Sequence, residues 1–294
     1  MVDNKKGFQI FAHFVLIVIT VCCILPFVLL LMASITGEKS LAAYGYSFFP
    51  KEFSLDAYQY LLSSSTSIFR AYGISIFITV IGTVCNLTLT TLYAYPLSRK
   101  DLPGRNIFAF FLFFTMLFSG GLVPSYIMWT QTFHIRNNLL ALLVPNLLMG
   151  AFNVIMMRTY FTANIPDAVI EAARIDGASE FKTLRSIVLP MAKPILVTLS
   201  LLVGLAYWND WTNGLYYISD EKLYSVQVLL MNLQKSLDAL KQNAAQGGNV
   251  SVAKLPSTSV RMAITVMGIL PVMIVYPFLQ KYFVKGIAIG AVKG

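Results

Sequence analysis

Long uncharged apolar runs alternate with short charged segments along the 294 residues of this chain. A helix needs about 20 apolar residues to cross the hydrocarbon core of a bilayer, so the gaps between charges predict six spans. They are Phe11 to Ile35, Ala71 to Leu97, Ile107 to Thr130, Leu139 to Met157, Ile195 to about Tyr217, and Met262 to Gln280. Pro26, Pro124, Pro145, Pro271 and Pro277 fall inside them, and such kinks are tolerated where neighbouring groups satisfy the freed carbonyls. Lys5 and Lys6 ahead of the first run imitate a signal peptide. Phe11 to Thr36, however, is 26 residues without a formal charge unless His13 protonates. A signal core is about 7–15 residues long and precedes a small-residue cleavage site, absent here. The pattern predicts an uncleaved first span and an all-α membrane protein: one transmembrane domain over 1–294 with six transmembrane helices.

Composition agrees, with 57% hydrophobic residues, 12% charged and a mean hydropathy of +0.69, outside the range of an ordinary soluble domain. The net charge of +9 bears on orientation, because Lys and Arg concentrate in cytoplasmic loops. With the N-terminus inside, thirteen of the 22 basic residues lie on inner segments, and Lys5/Lys6, Arg99/Lys100/Arg105 and Lys281/Lys285 abut spans. Both termini are therefore expected in the cytoplasm of a multi-pass cell-membrane protein. The segment 158–193 and the tail 281–294 are expected on the same side, with Gly37 to about Ser67 and 219–261 external. The second external loop contains "NAAQGGNVSVAKLPSTS", a polar stretch that reads as a flexible excursion. No basic stripe interleaves with aromatics, so nucleic acid is not an expected partner. Cys22, Cys23 and Cys85 sit in apolar runs and frame neither a disulfide nor a metal site.

The span interiors are almost bare of ionisable groups, whereas ion-coupled carriers bind their driving ion there. His13 lies at a boundary and Asp210 near the outer end of the fifth span. "TGEKS", Thr36 to Ser40, resembles a phosphate loop only superficially: Glu38 separates Gly37 from Lys39 and the earlier glycine is missing. The hydrolase signatures H-E-x-x-H and G-x-S-x-G are absent as well. A transporter with this sequence would be driven by another polypeptide, and no enzyme activity or cofactor is expected in the chain itself.

The segment Arg158 to Lys193 differs from its surroundings. Pro166 and Asp167 suit the first turn of a helix, which would run through "DAVIEAARID" and stop at Gly177. A second helix would start near Ser179/Glu180, present Phe181, Leu184 and Val188 on one face, and end at Pro190. Two short helices hinged at a glycine suit a partner's groove. The plain alternative is an amphipathic loop on the headgroups, with Glu171 and Arg174 as a weak i, i+3 pair.

"EAARIDGASEFKTLRSIVLP" resembles the EAA loop of the permease subunits of ATP-binding-cassette (ABC) importers. The matching positions are Glu171, Ala172, Ala173, Gly177, Ile187, Leu189 and Pro190, with nine residues between Gly177 and Ile187. The longer stretch "RIDGASEFKTLRSIVLPMAKPI" is similar to the carbohydrate, maltose-type branch. "FSGGLVPSYI", "NVIMMRTYF", "YWNDWTNGLYYI" and "QKYFVKGIAIGAVKG" are similar to its complex-oligosaccharide subgroup, typified by lipoprotein-linked and aldouronate-type uptake. The resemblance implies a type I importer (MetI-like) permease fold for oligosaccharides. It also implies a second permease, two ATPase subunits that bind ATP and Mg, and an extracellular solute-binding lipoprotein. Carried over, the ATPase-coupling residues are Glu171, Ala172, Ala173, Asp176, Gly177, Phe181, Leu189 and Pro190. Glu171 would pair with a basic residue of the ATPase, Gly177 would permit the bend and Phe181 would anchor.

Trp208, Asn209, Asp210 and Trp211 offer indoles, an amide and a carboxylate that could line a sugar path, or form an aromatic belt with an interfacial acid. Gly120 and Gly121 in "SGGLVP" could bend the third span beside that path, or let helices pack closely. "GGNVS" and "LPSTS" could probe the binding protein, or be plain linker. The tail could touch the ATPases, or simply the headgroups. The mechanism expected is alternating access. Competing readings are a secondary transporter, or a scaffold that recruits a cytoplasmic partner through 158–193.

Overall fold

The computed structural model describes residues 6–63, 65–245 and 257–291. Residues 246–256, which hold "GGNVS", and the side chains of the tail 281–294 lie outside the described residues. Among the described residues the chain is helical and without strands, and Thr36 and Phe53 form an isolated antiparallel bridge. In chain order the helices begin with α1 (Lys6–Ser34), α2 (Glu38–Tyr44), α3 (Asp56–Leu62), α4 (Ser65–Ser98) and α5 (Arg105–Leu117). Next come α6 (Leu122–Ile127), α7 (Leu140–Leu143), α8 (Ala151–Asn164), α9 (Asp167–Ile175) and α10 (Glu180–Thr183). The series closes with α11 (Leu189–Met191), α12 (Lys193–Trp208), α13 (Thr212–Tyr217), α14 (Val226–Ala245) and α15 (Ser257–Ala291).

Among the described residues three helices are long and apolar enough to cross a membrane, over Lys6–Ser34, Thr66–Ser98 and Thr258–Pro277. The number rises to five if each of two bent pairs is one span. Six unbroken spanning helices are not found among the described residues, and the breaks have local causes. The third stretch breaks at Ser119–Gly121, where Gly121 takes a left-handed φ of 84° that glycine alone adopts without strain. Arg105–Leu117 and Leu122–Thr132 consequently meet at 112°. A second bend, of 82°, separates Glu180–Met191 from Lys193–Tyr217.

The fourth stretch unwinds between α7 and α8, at Pro145 and at Asn146 with φ of 62°. Carbonyls freed at membrane depth must find donors inside the protein, and three side chains supply them. The Tyr207 hydroxyl donates to Leu143 O at 2.9 Å, Asn213 Nδ2 to Pro145 O at 2.9 Å, and Asn86 Nδ2 to Leu147 O at 2.7 Å.

The chain divides into two compact units. One comprises Met1–Ile68 and Leu230–Pro271. In it α1 buries only Ala33 and Ser34. Glu38 accepts the Thr258 N–H at 2.9 Å and the Ser259 N–H and hydroxyl at 2.9 Å each. "TGEKS" thus serves as a remote cap for the first turn of α15, where a carboxylate meets the positive end of the helix dipole. The segment 219–261 is not one irregular loop, since the 20-residue α14 occupies much of it.

The other unit comprises Phe69–Leu229 and Val272–Gly294. Its main core joins Tyr95 and Leu97 of α4, Val154, Met157 and Phe161 of α8, Ile170 of α9, and Leu184 and Val188 beyond α10, with Leu199 of α12. The segment read as a surface hairpin is therefore built on a hydrophobic foundation.

Candidate functional site

The hairpin forms from short-range signals. Pro166 sits at the N-cap of α9 and Asp167 in its first turn. Its end is a Schellman arrangement: Gly177 has φ of 74°, Gly177 N–H donates to Arg174 O at 3.0 Å and Ala178 N–H to Ala173 O at 2.9 Å. Ser179 caps α10 by accepting the Lys182 N–H at 3.3 Å. The chain then continues through a π-helical turn, Leu184–Val188, into α11, so the second helix passes Pro190 and ends at Met191.

Ile170, Ala173, Leu184 and Val188 face inward, whereas Glu171, Ala172, Asp176 and Gly177 are exposed. Leu189 is half-buried and Pro190 exposed. The shared face expected of Phe181, Leu184 and Val188 does not form, because Phe181 is 65% exposed. Glu180 beside it is exposed too, and its carboxylate bonds Tyr95 and Arg174. Ile175, at 87% exposed, stands on the other side of Gly177 as a second bare apolar side chain that sequence reasoning passed over.

A charge network holds the hairpin to the end of α4. Arg174 Nη2 lies 2.6 Å from Asp101 Oδ2 and 2.8 Å from Glu180 Oε1, and Arg174 Nε donates to the same Glu180 oxygen at 3.0 Å. Glu180 Oε2 accepts the hydroxyl of buried Tyr95 at 2.7 Å. Asp167 pairs with Lys100 at 3.0 Å and with Arg99 at 3.6 Å. The Arg174 guanidinium holds the Asp101 carboxyl below its ordinary range, and the Lys100 ammonium does the same for Asp167. Arg174 is thus engaged away from Glu171. Among the described residues no hydrogen bond or ion pair holds Glu171, so the i, i+3 pair is replaced by a free carboxylate.

At the other end of α12, Trp208 is buried and tilted against Tyr72 with ring centroids 6.3 Å apart. Asn209 is exposed at the helix end, and Trp211 is 47% exposed. Asp210 Oδ1 accepts the N–H groups of Thr212 at 3.1 Å and Asn213 at 3.2 Å, capping α13, while its Oδ2 is buried without a hydrogen bond. Gly120 and Gly121 serve the bend rather than close packing, since a Cβ at Gly121 would meet nothing within 4 Å. The four residues 208–211 thus split between core and surface. Tyr126 and Tyr217 stack beside them at 5.9 Å.

Residues 104–289 match the family described as binding-protein-dependent transport system inner membrane component. The chain is 35% identical over 291 residues to the polygalacturonan/rhamnogalacturonan transport system permease protein YtcP of Bacillus subtilis (strain 168), covering 99% of this chain and 100% of that one. It is 38% identical over 271 residues to protein LplC of the same organism, covering 92% and 90%. In a crystal structure of a bacterial ABC transporter that imports the acidic polysaccharide alginate, one chain superposes with a TM-score of 0.79. Identity there is 30%, with 96% of this chain and 99% of that one covered.

Proposed function

The chain belongs to the family of binding-protein-dependent transport system inner membrane components, and on that footing we propose an acidic oligosaccharide as the cargo it carries. It is a permease subunit of an oligosaccharide ABC importer. The acidic cargo is supported by the named substrates of two similar proteins, polygalacturonan or rhamnogalacturonan for one and alginate for the other.

The observation that carries the coupling role is Glu171. Its carboxylate is exposed and unpaired among the described residues, on a hairpin that also exposes Ile175 and Phe181 and whose opposite face is built into the core. A cleft with a basic residue and apolar walls, on a separate ATPase, fits that surface. ATP and Mg reside on two such partners, a second permease completes the path, and an extracellular solute-binding lipoprotein delivers cargo. Both termini lie in the cytoplasm with the hairpin and the C-terminal tail. Closure of the ATPases pushes the hairpin and rocks the two permeases, so that the cavity opens outward to the docked binding protein; hydrolysis resets it. Trp211 contributes to the sugar path.

Reconstitution tests this reading. The chain should co-purify with an ATPase and a second permease, and vesicles holding that complex should take up trigalacturonate only with ATP. Uptake that ignores ATP and collapses with an ionophore would overturn it.

A further inference from the structure

Gly177 is where the chain turns from α9 to α10: its φ is 74°, and a Cβ there would meet nothing within 4 Å, so no side-chain packing stiffens the turn. A surface pushed by a partner on such a turn would fold about it and deliver little motion to the membrane helices. The structure places a brace across that turn. Arg174 lies three residues before Gly177 and Glu180 three residues after it, and two hydrogen bonds from one guanidinium to one carboxylate oxygen join them, at 2.8 Å and 3.0 Å.

The brace is tied to α4 twice. Arg174 Nη2 also reaches Asp101 Oδ2 at 2.6 Å, just past the end of α4, and the second oxygen of Glu180 takes the Tyr95 hydroxyl at 2.7 Å, inside α4. Tyr95 is only 5% exposed and belongs to the main core, so this end of the link is immobile. A planar guanidinium with several donors can serve two carboxylates at once, which an ammonium cannot do in the same fixed geometry.

We propose that Arg174 is a positioning residue that makes α9, α10 and the end of α4 move as one body, so that force applied to the hairpin is transmitted to α4 instead of being absorbed at Gly177. This inference rests on the hairpin being the surface that receives the ATPase. It assigns transmission to Arg174 and contact with the ATPase to Glu171, two separable roles.

The test measures trigalacturonate uptake and ATP hydrolysis on the same vesicles, using the full complex with Arg174→Gln. Assembly and hydrolysis should persist, and sugar moved per ATP should fall about tenfold. Loss of folding would lower both rates together, so the ratio isolates transmission. Tyr95→Phe, which removes only a hydroxyl, should lower the ratio in the same direction and guards against a misfolded Arg174 variant. Asp101→Asn added to Arg174→Gln should bring no further fall, because Arg174→Gln has already removed the link that Asp101 makes to the hairpin. An unchanged ratio in both Arg174→Gln and Tyr95→Phe, with Glu171→Ala uncoupled, overturns the brace alone. Failure of the wild-type complex to couple uptake to ATP overturns the underlying reading and the brace with it.

Discussion

The ring of Tyr207 on α12 fills the space that a Cβ at Gly82 on α4 would need, and its hydroxyl reaches past to Leu143 O at 2.9 Å. Two helices and an unwound segment therefore meet at one aromatic side chain. Gly82→Ala must push the ring aside, with overpacking of about 1–3 kcal/mol and loss of the carbonyl's donor. The expected outcome is a lower Tm of the purified complex, and Gly82→Ala with Tyr207→Leu should recover part of it.

The three donors to the unwound stretch have different weights from surface hydrogen bonds. Asn86→Leu and Asn213→Leu each leave a carbonyl bare at membrane depth, a cost of about 1–3 kcal/mol. Each variant should reach the membrane in reduced amount, read by immunoblot of membrane fractions. Thr159→Ala, at an exposed position where the hydroxyl bonds only Ile155 O one turn back on its own helix, should change little.

Glu171→Ala should keep the protein in the membrane and abolish ATP-dependent uptake, because the residue supports nothing inside the chain. Phe181→Ser and Ile175→Ser should weaken retention of the ATPase on a tagged permease, and the double variant should lose it. Uptake at the wild-type level in Glu171→Ala would remove that residue from the coupling role.

Asp101 and Asp167 are held below their ordinary value of 3.8. A carboxylate depressed in the folded state contributes stability above its unfolded pKa and loses it as pH falls through the folded one. The stability gap between wild type and Asp167→Asn should therefore be full at neutral pH and close as pH falls below about 4. Thermal melts of the detergent-solubilised complex at several pH values read this gap, and a gap that widens toward acid would contradict the assignment.

Hairpin boundaries were legible because Pro166, Asp167, Gly177 and Ser179 act on neighbours within a few residues. The breaks within the apolar stretches were not, because a hydropathy window averages over the break at Ser119–Gly121 and the unwinding at Pro145, each still apolar. The face shared by Phe181, Leu184 and Val188 was misread because an unbroken 3.6-residue period cannot register the π-helical turn at Leu184–Val188. Arg174 and Asp101 lie 73 residues apart; the basic cluster beside Asp101 marked orientation, and nothing local announced their contact.

The dependence of the 143–147 carbonyls on Asn86, Tyr207 and Asn213 bears on how such permeases can be recombined. A chimera that imports the unwound segment from a relative inherits a demand for donors at fixed places on other helices. Those three positions must travel with it, so the transplantable module is a discontinuous set of residues and not a stretch of chain.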